Sequence, residues 1–102
     1  MEKKLILHPE AEKELGESFD WHNANRENSG EQFLIQVNIR LKEILQRPES
    51  RSADEDGVRW AGISNFPYHI FYLFKPETVW MLAIWHTSRK PDDWRKRMKD
   101  VE

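Results

Sequence analysis

The chain contains no cysteine among its 102 residues. This excludes a disulfide framework, a thiolate metal site and a cysteine nucleophile. It also lacks any apolar run near the roughly 20 residues that cross a bilayer as a helix. The opening MEKKLILHPEAEKEL has too short an apolar run for a signal peptide and turns acidic at once. A soluble cytoplasmic protein with no membrane partner is expected. Apolar residues are scarce at 38%, whereas charged ones reach 33%, so the core must be small and rich in aromatic rings, which bury the most area per residue. Length allows one domain over residues 1–102, with little core to spare.

A surplus of positive charge is also missing. The formal net charge is −2 and the isoelectric point is about 6.1. A strongly basic nucleic-acid binder is therefore excluded, because most of such affinity comes from neutralising phosphates. The balance is uneven along the chain: residues 1–57 carry eight Lys/Arg against thirteen Asp/Glu, and residues 58–102 carry eight against five. Such polarity can aim a basic face at an acidic partner, although an ordinary solvated surface is the plainer reading.

What is present is concentrated in Phe66–Trp94, which holds three of the five tryptophans, three of the five phenylalanines and both tyrosines. Tyr68–Lys75 and Thr78–His86 read as two apolar strands around Pro76-Glu77. Ile70, Tyr72 and Phe74 alternate with Phe71 and Leu73, and Trp80, Leu82 and Ile84 alternate with Val79, Met81, Ala83 and Trp85. Strands apolar on both faces are central and covered on both sides. Since a helical hairpin covers only one face, the other is expected to be a ligand surface or an interface. In this small core the tryptophans Trp60, Trp80 and Trp85 read first as packing and second as base-stacking platforms.

Ahead of this stretch, Lys3–His8 reads as a strand ended by Pro9, which suits the first position of a helix. Glu10, Glu12 and Glu14 complement the helix dipole. Ala11, Leu15, Ser18 or Phe19, and His22 give one narrow apolar face to a helix from about Pro9 to Asn25. A second helix runs from about Ser29 or Gly30 to Gln46 and stops at Pro48; its buried stripe is Phe33, Val37, Leu41 and Ile44, with Ile35 and Ile39 widening the apolar arc. Glu49–Asp56 reads as a mobile surface loop, and Val58–Ile63 as a further strand. In the tail, Asp92 is an N-cap candidate and Trp94 the expected anchor of a short basic helix. The fold class is α+β: an N-terminal strand, then an antiparallel helical hairpin packed on a mainly antiparallel sheet, with a basic C-terminal helix or tail.

Several local patterns together resemble a known family. His8-Pro9-Glu10-Ala11-Glu12 opening the first helix, Gln46-Arg47-Pro48 ending the second, Val58-Arg59-Trp60 followed by Phe66-Pro67-Tyr68-His69-Ile70-Phe71-Tyr72, and Trp85-His86 with Arg89, Pro91 and Trp94 are similar in order and spacing to the RelE/ParE superfamily of bacterial type II toxin–antitoxin toxins. The resemblance spans about Leu5 to Arg97. It implies a growth-inhibitory toxin held inactive by a cognate antitoxin, needing no cofactor, as a homodimer or within a toxin–antitoxin hetero-oligomer. One branch of the family cuts mRNA in the ribosome and another poisons DNA gyrase without cutting. Fold does not decide between them.

Metal-free RNA cleavage needs an acid, a base and cations around the phosphorane. Histidine as a residue type suits acid or base chemistry near neutral pH, which makes His86 the candidate for either role, and Arg59 and Arg89 can hold a phosphate bidentately. These three are the catalytic candidates, with Lys90, Arg95, Lys96 and Arg97 as target-binding cations and Ile35 and Ile39 as antitoxin contacts. A histidine that ends a strand and bonds the next loop is the structural alternative for His86. Four histidines without close ligand spacing point to no metal site. Two features depart from the cleaving branch: the last tyrosine is Tyr72, in mid-sheet, and the chain is acidic. The balance tips towards the non-enzymatic branch, and a decayed toxin that only binds its antitoxin is a third reading.

Overall fold

Alternating apolar runs and proline punctuation divide the chain into seven elements. The computed structural model describes residues 3–101. They form β1 (Lys4–Leu7), α1 (Pro9–Asn25), α2 (Ser29–Gln46), β2 (Arg59–Gly62), β3 (Tyr68–Phe74), β4 (Thr78–His86) and a 3-10 helix, Asp93–Asp100. The four-stranded sheet has the order β1-β4-β3-β2. β1 runs parallel to β4, and the other neighbours are antiparallel. This is the α+β architecture expected from the sequence. Among the described residues, no helix is long and apolar enough to cross a membrane.

Local chemistry sets the helix ends. Pro9 starts α1, and the His8 Nδ1 accepts the Glu10 N–H at 3.1 Å. The helices lie on one face of the sheet. Ala11, Phe33, Val37, Leu41 and Ile44 pack with Ile70, Tyr72, Val79, Met81 and Ile84. The buried Tyr72 hydroxyl is satisfied by donating to the Pro48 carbonyl, as a buried polar group must be.

Three expectations are corrected. First, the outer sheet face is not left open. The tail folds over it: Trp94 stacks on Phe71 at 4.3 Å and joins Val58, Leu82, Ala83 and Trp85 in a second core, with Met98 and Val101 at its margin. Second, β4 does not alternate strictly. The register steps from Phe71↔Ala83 to Tyr72↔Met81, leaving Leu82 as the extra residue of a β-bulge. A bulge reverses which side chains face inward. Hence Val79, Met81 and Ile84 join the helix-side core, while Leu82, Ala83 and Trp85 join the outer one. Third, Asp92 stands before the 3-10 helix but does not cap it. Its carboxylate accepts from the Arg95 Nε instead, at 3.0 Å.

The segment from Glu49 to Asp56 is also tied down more firmly than a mobile loop would be. The Asp54 carboxylate accepts the N–H groups of Asp56 and Val58, and Arg95 bridges Asp54 and Asp56. Burial alone would raise the Asp54 carboxyl, but the Arg95 guanidinium and the two N–H groups hold it below its usual range.

Candidate functional site

The site forms where β4 outruns its neighbour. β1 ends at Leu7, opposite Met81, and the His8 N–H makes the last bond to the Met81 carbonyl. From Leu82 to His86, the β4 edge has no strand beside it. Thr87 donates to the Pro67 carbonyl, so the antiparallel alternation turns the Ile84 N–H towards this open edge. Glu14 from α1 accepts it, at 3.2 Å, and Arg97 from the tail donates to the Leu82 carbonyl at 2.9 Å. Two side chains thereby replace the missing strand.

Glu14 and Arg97 are also bound to each other. Arg97 donates from both terminal nitrogens to the two Glu14 oxygens, each at 2.8 Å. Both side chains are buried, with residue exposures of 8% and 7%. Arg89 adds a third cationic bond to Glu14 Oε2 at 2.7 Å, while its guanidinium lies 3.5 Å from the Trp85 ring centroid. His8, across the start of α1, reaches Asp100 at 2.8 Å and fixes the tail's end.

Beside this cluster opens a pocket of about 390 Å³, lined in part by Lys13, Glu17, Tyr68, Ile84, His86 and Arg89. The bulge is the reason His86 is here. Without it, His86 would face the outer side; with it, the ring meets Tyr68 edge-on at 5.0 Å. The His86 Nδ1 accepts the Ser88 N–H at 3.1 Å and lies 2.7 Å from the Ser88 hydroxyl. Behind it the Tyr68 hydroxyl bonds His22 Nε2 at 3.1 Å. Burial, followed by the neighbouring His86, lowers the His22 pKa below its ordinary 6.5, and burial does the same to His69.

A pH dependence follows. Both histidines favour the neutral form in the folded chain, so unfolding takes up protons as pH falls through 6.5. Stability present above that value is lost towards the lower folded values. Urea midpoints should drop between pH 7.5 and 5.5, and His22→Gln should make the drop shallower. An unchanged slope in the variant would remove His22 from the account.

The candidate residues do not all converge. His86 and Arg89 share the pocket. Arg59 does not join them: it pairs with Tyr72, whereas His86 pairs with Tyr68, a separation of about 13 Å along β3 at roughly 3.3 Å per residue. Its Nε donates to the Arg51 carbonyl, and its guanidinium lies over Phe74. Two of the four candidate tail cations are also committed. Arg97 is buried on Glu14, and Arg95 holds Asp54, Asp56 and Asp92. Lys90 and Lys96 remain exposed, with Lys90 loosely paired to Asp93 at 3.9 Å. Ile35 and Ile39 are exposed at 48% and 46%, with Trp21 at 60% on the adjacent helix. Among the described residues, no group of His, Asp and Glu side chains could hold a metal ion.

Glu14 is the residue that sequence reasoning passed over. Its place three residues after Ala11 and four before Ser18 sets it on the apolar stripe of α1. A carboxylate on a buried stripe calls for a cationic partner. That signal was in the sequence, although the partner's identity was not.

Among curated proteins, no sequence matches this chain. A solved structure described as the chromosomal ParDE TA system from P. aeruginosa shares the fold, with a TM-score of 0.73 at 16% identity, over 84% of this chain and 97% of that one. Residues 5–91 match the family described as the ParE toxin of type II toxin–antitoxin system, parDE. This match covers most of the chain, from β1 through β4 to the bend beyond it, and the chain therefore belongs to the ParE toxin family of type II toxin–antitoxin systems.

Proposed function

We propose that this chain inhibits growth when free, acting by binding a protein target such as DNA gyrase rather than by cutting RNA, and that a cognate antitoxin neutralises it. One observation carries the preference. The two arginines expected around a phosphorane do not meet there: Arg89 is bound to Glu14, which Arg97 shares, and Arg59 stands towards the far end of β3. A cleavage site needs those charges free and aimed at one point. The acidic balance of the chain points the same way. For the antitoxin, the exposed apolar side chains of the helical hairpin, Trp21, Ile35 and Ile39, offer a surface suited to an apolar helix face.

The test is induced expression of wild type and His86→Ala, with mRNA integrity and plasmid supercoiling followed together. Arrest with intact mRNA, an unchanged phenotype in His86→Ala, and stabilised gyrase–DNA cleavage complexes in the purified system are expected. Codon-positioned mRNA cuts that vanish in His86→Ala would overturn the preference in favour of a ribosome-dependent endonuclease. Harmless expression without the antitoxin would leave a decayed toxin.

A further inference from the structure

The sheet ends on β1 at one side and on β2 at the other. Where β4 runs past β1, Glu14 and Arg97 bond the Ile84 N–H and the Leu82 carbonyl. The β2 edge, at the opposite side of the sheet, is left largely open. Ile63 donates to the Tyr68 carbonyl, so the antiparallel alternation turns the backbone groups of Trp60 and Gly62 outward. Arg40 Nε takes the Gly62 carbonyl at 2.7 Å. The N–H and C=O of Trp60 and the N–H of Gly62 face away from the sheet.

Side chains beside the β2 edge shape a surface along it. A groove of about 420 Å³ runs along it, lined by Arg51, Ser52, Trp60, Ala61 and Gly62. The Trp60 side chain is exposed, at 51% for the residue, yet held flat by stacking on His69 at 4.2 Å. Arg40, Arg89, Arg95 and Arg97 each have a carboxylate partner. Among the described residues, Arg26, Arg47, Arg51 and Arg59 have none within 4.0 Å; Arg26 follows α1, whereas Arg59 belongs to β2 and Arg51 lines its groove. Arg47 and Arg51 line an adjoining hollow at the end of α2. Natural edge strands are usually blunted by charge, proline or cover; here Arg40 covers the Gly62 carbonyl, and the rest of the edge keeps a fixed aromatic ring and unpaired cations beside free backbone groups.

We propose that the β2 edge binds an extended, acidic peptide segment of a partner protein as an additional strand, with an apolar side chain on Trp60 and a carboxylate on Arg51. Strand addition takes affinity from the main chain and specificity from alternate side chains. A peptide suits the edge better than a nucleic acid does. Outward N–H and C=O groups match a peptide backbone, and the chain's net charge of −2 gives little general drive towards a polyanion. This surface is separate from the hairpin face assigned above to the antitoxin, so either assignment can fail alone.

The experiment uses the full chain and a short fluorescein-labelled peptide alternating Glu and Val. Saturable binding is expected, with slowed hydrogen exchange at the Trp60 and Gly62 amides. Arg51→Glu should weaken it about tenfold, the scale of one charged contact, and should favour the Lys–Val counterpart instead. Only the backbone carbonyl of Arg51 holds Arg59, so this variant keeps that contact. Trp60→Ala should weaken both peptides. Absence of saturable binding, indifference to Arg51→Glu, protection confined to other amides, or preference for a labelled single-stranded oligonucleotide would each overturn the proposal.

Discussion

Replacing Glu14 with alanine should remove a large share of the chain's stability. Glu14 is the counter-ion of the buried Arg97, a partner of Arg89 and the acceptor for the Ile84 N–H. Breaking a buried pair from one side costs about 3–5 kcal/mol, because the remaining charge stays buried without compensation. A domain of this size has only about 5–15 kcal/mol in total, and each kcal/mol is worth roughly 4–8 °C in Tm. The melting temperature should therefore fall well over ten degrees. Arg89→Ala is the control: its side chain is 45% exposed, and solvent-screened pairs are worth about 1 kcal/mol or less. A near-native Tm for Glu14→Ala would show that the cluster is not structural.

The double variant Glu14→Leu with Arg97→Met sharpens the point. Apolar replacement of a buried ion pair is often neutral or stabilising. Here it should not be, because the pair also closes the β4 edge. The replacements would leave the Ile84 N–H and the Leu82 carbonyl without partners, at about 1–3 kcal/mol for each buried group. A double variant as stable as wild type would mean that water reaches this edge.

The helices were legible in the sequence because their boundaries are local. Pro9, Pro48 and the Asn28-Ser29-Gly30 stretch act on their immediate neighbours. The meander was legible too, from its apolar alternation and turn residues. The bulge at Leu82 was hidden for a physical reason. Both faces of β4 are buried, so a one-residue slip exchanges one apolar side chain for another and leaves no mark in the pattern. That hidden slip decides the face on which His86 stands. The separation of Arg59 from His86 depends on strand register, which no spacing along the chain reveals. The pairing of Glu14 with Arg97 joins residues 83 apart in sequence; each signalled only that it needed a partner. The basic appearance of the tail misled for the same reason, since the carboxylates that claim Arg95 and Arg97 arrive from a loop and from α1.

Trp94→Ala should be nearly as damaging, through packing rather than charge. Trp94 is the largest fully buried side chain, and it holds the tail on the outer face by stacking on Phe71. Truncating a core tryptophan costs about 3–5 kcal/mol. Trp94→Phe should cost much less. Among the described residues, the Trp94 Nε1 has no hydrogen-bond partner, and an orphaned buried donor is itself a penalty of about 1–3 kcal/mol. Phenylalanine gives up ring area but removes that donor, and a stacked ring on Phe71 is retained. Loss of the anchor should also reach the candidate site, because the tail that carries Trp94 delivers Arg97 to Glu14. The effects of Trp94→Ala and Glu14→Ala should then be less than additive, as for residues that share one structural unit. Urea unfolding of the two single variants and the double would read that coupling directly; full additivity would mean that the outer core and the ion cluster hold independently.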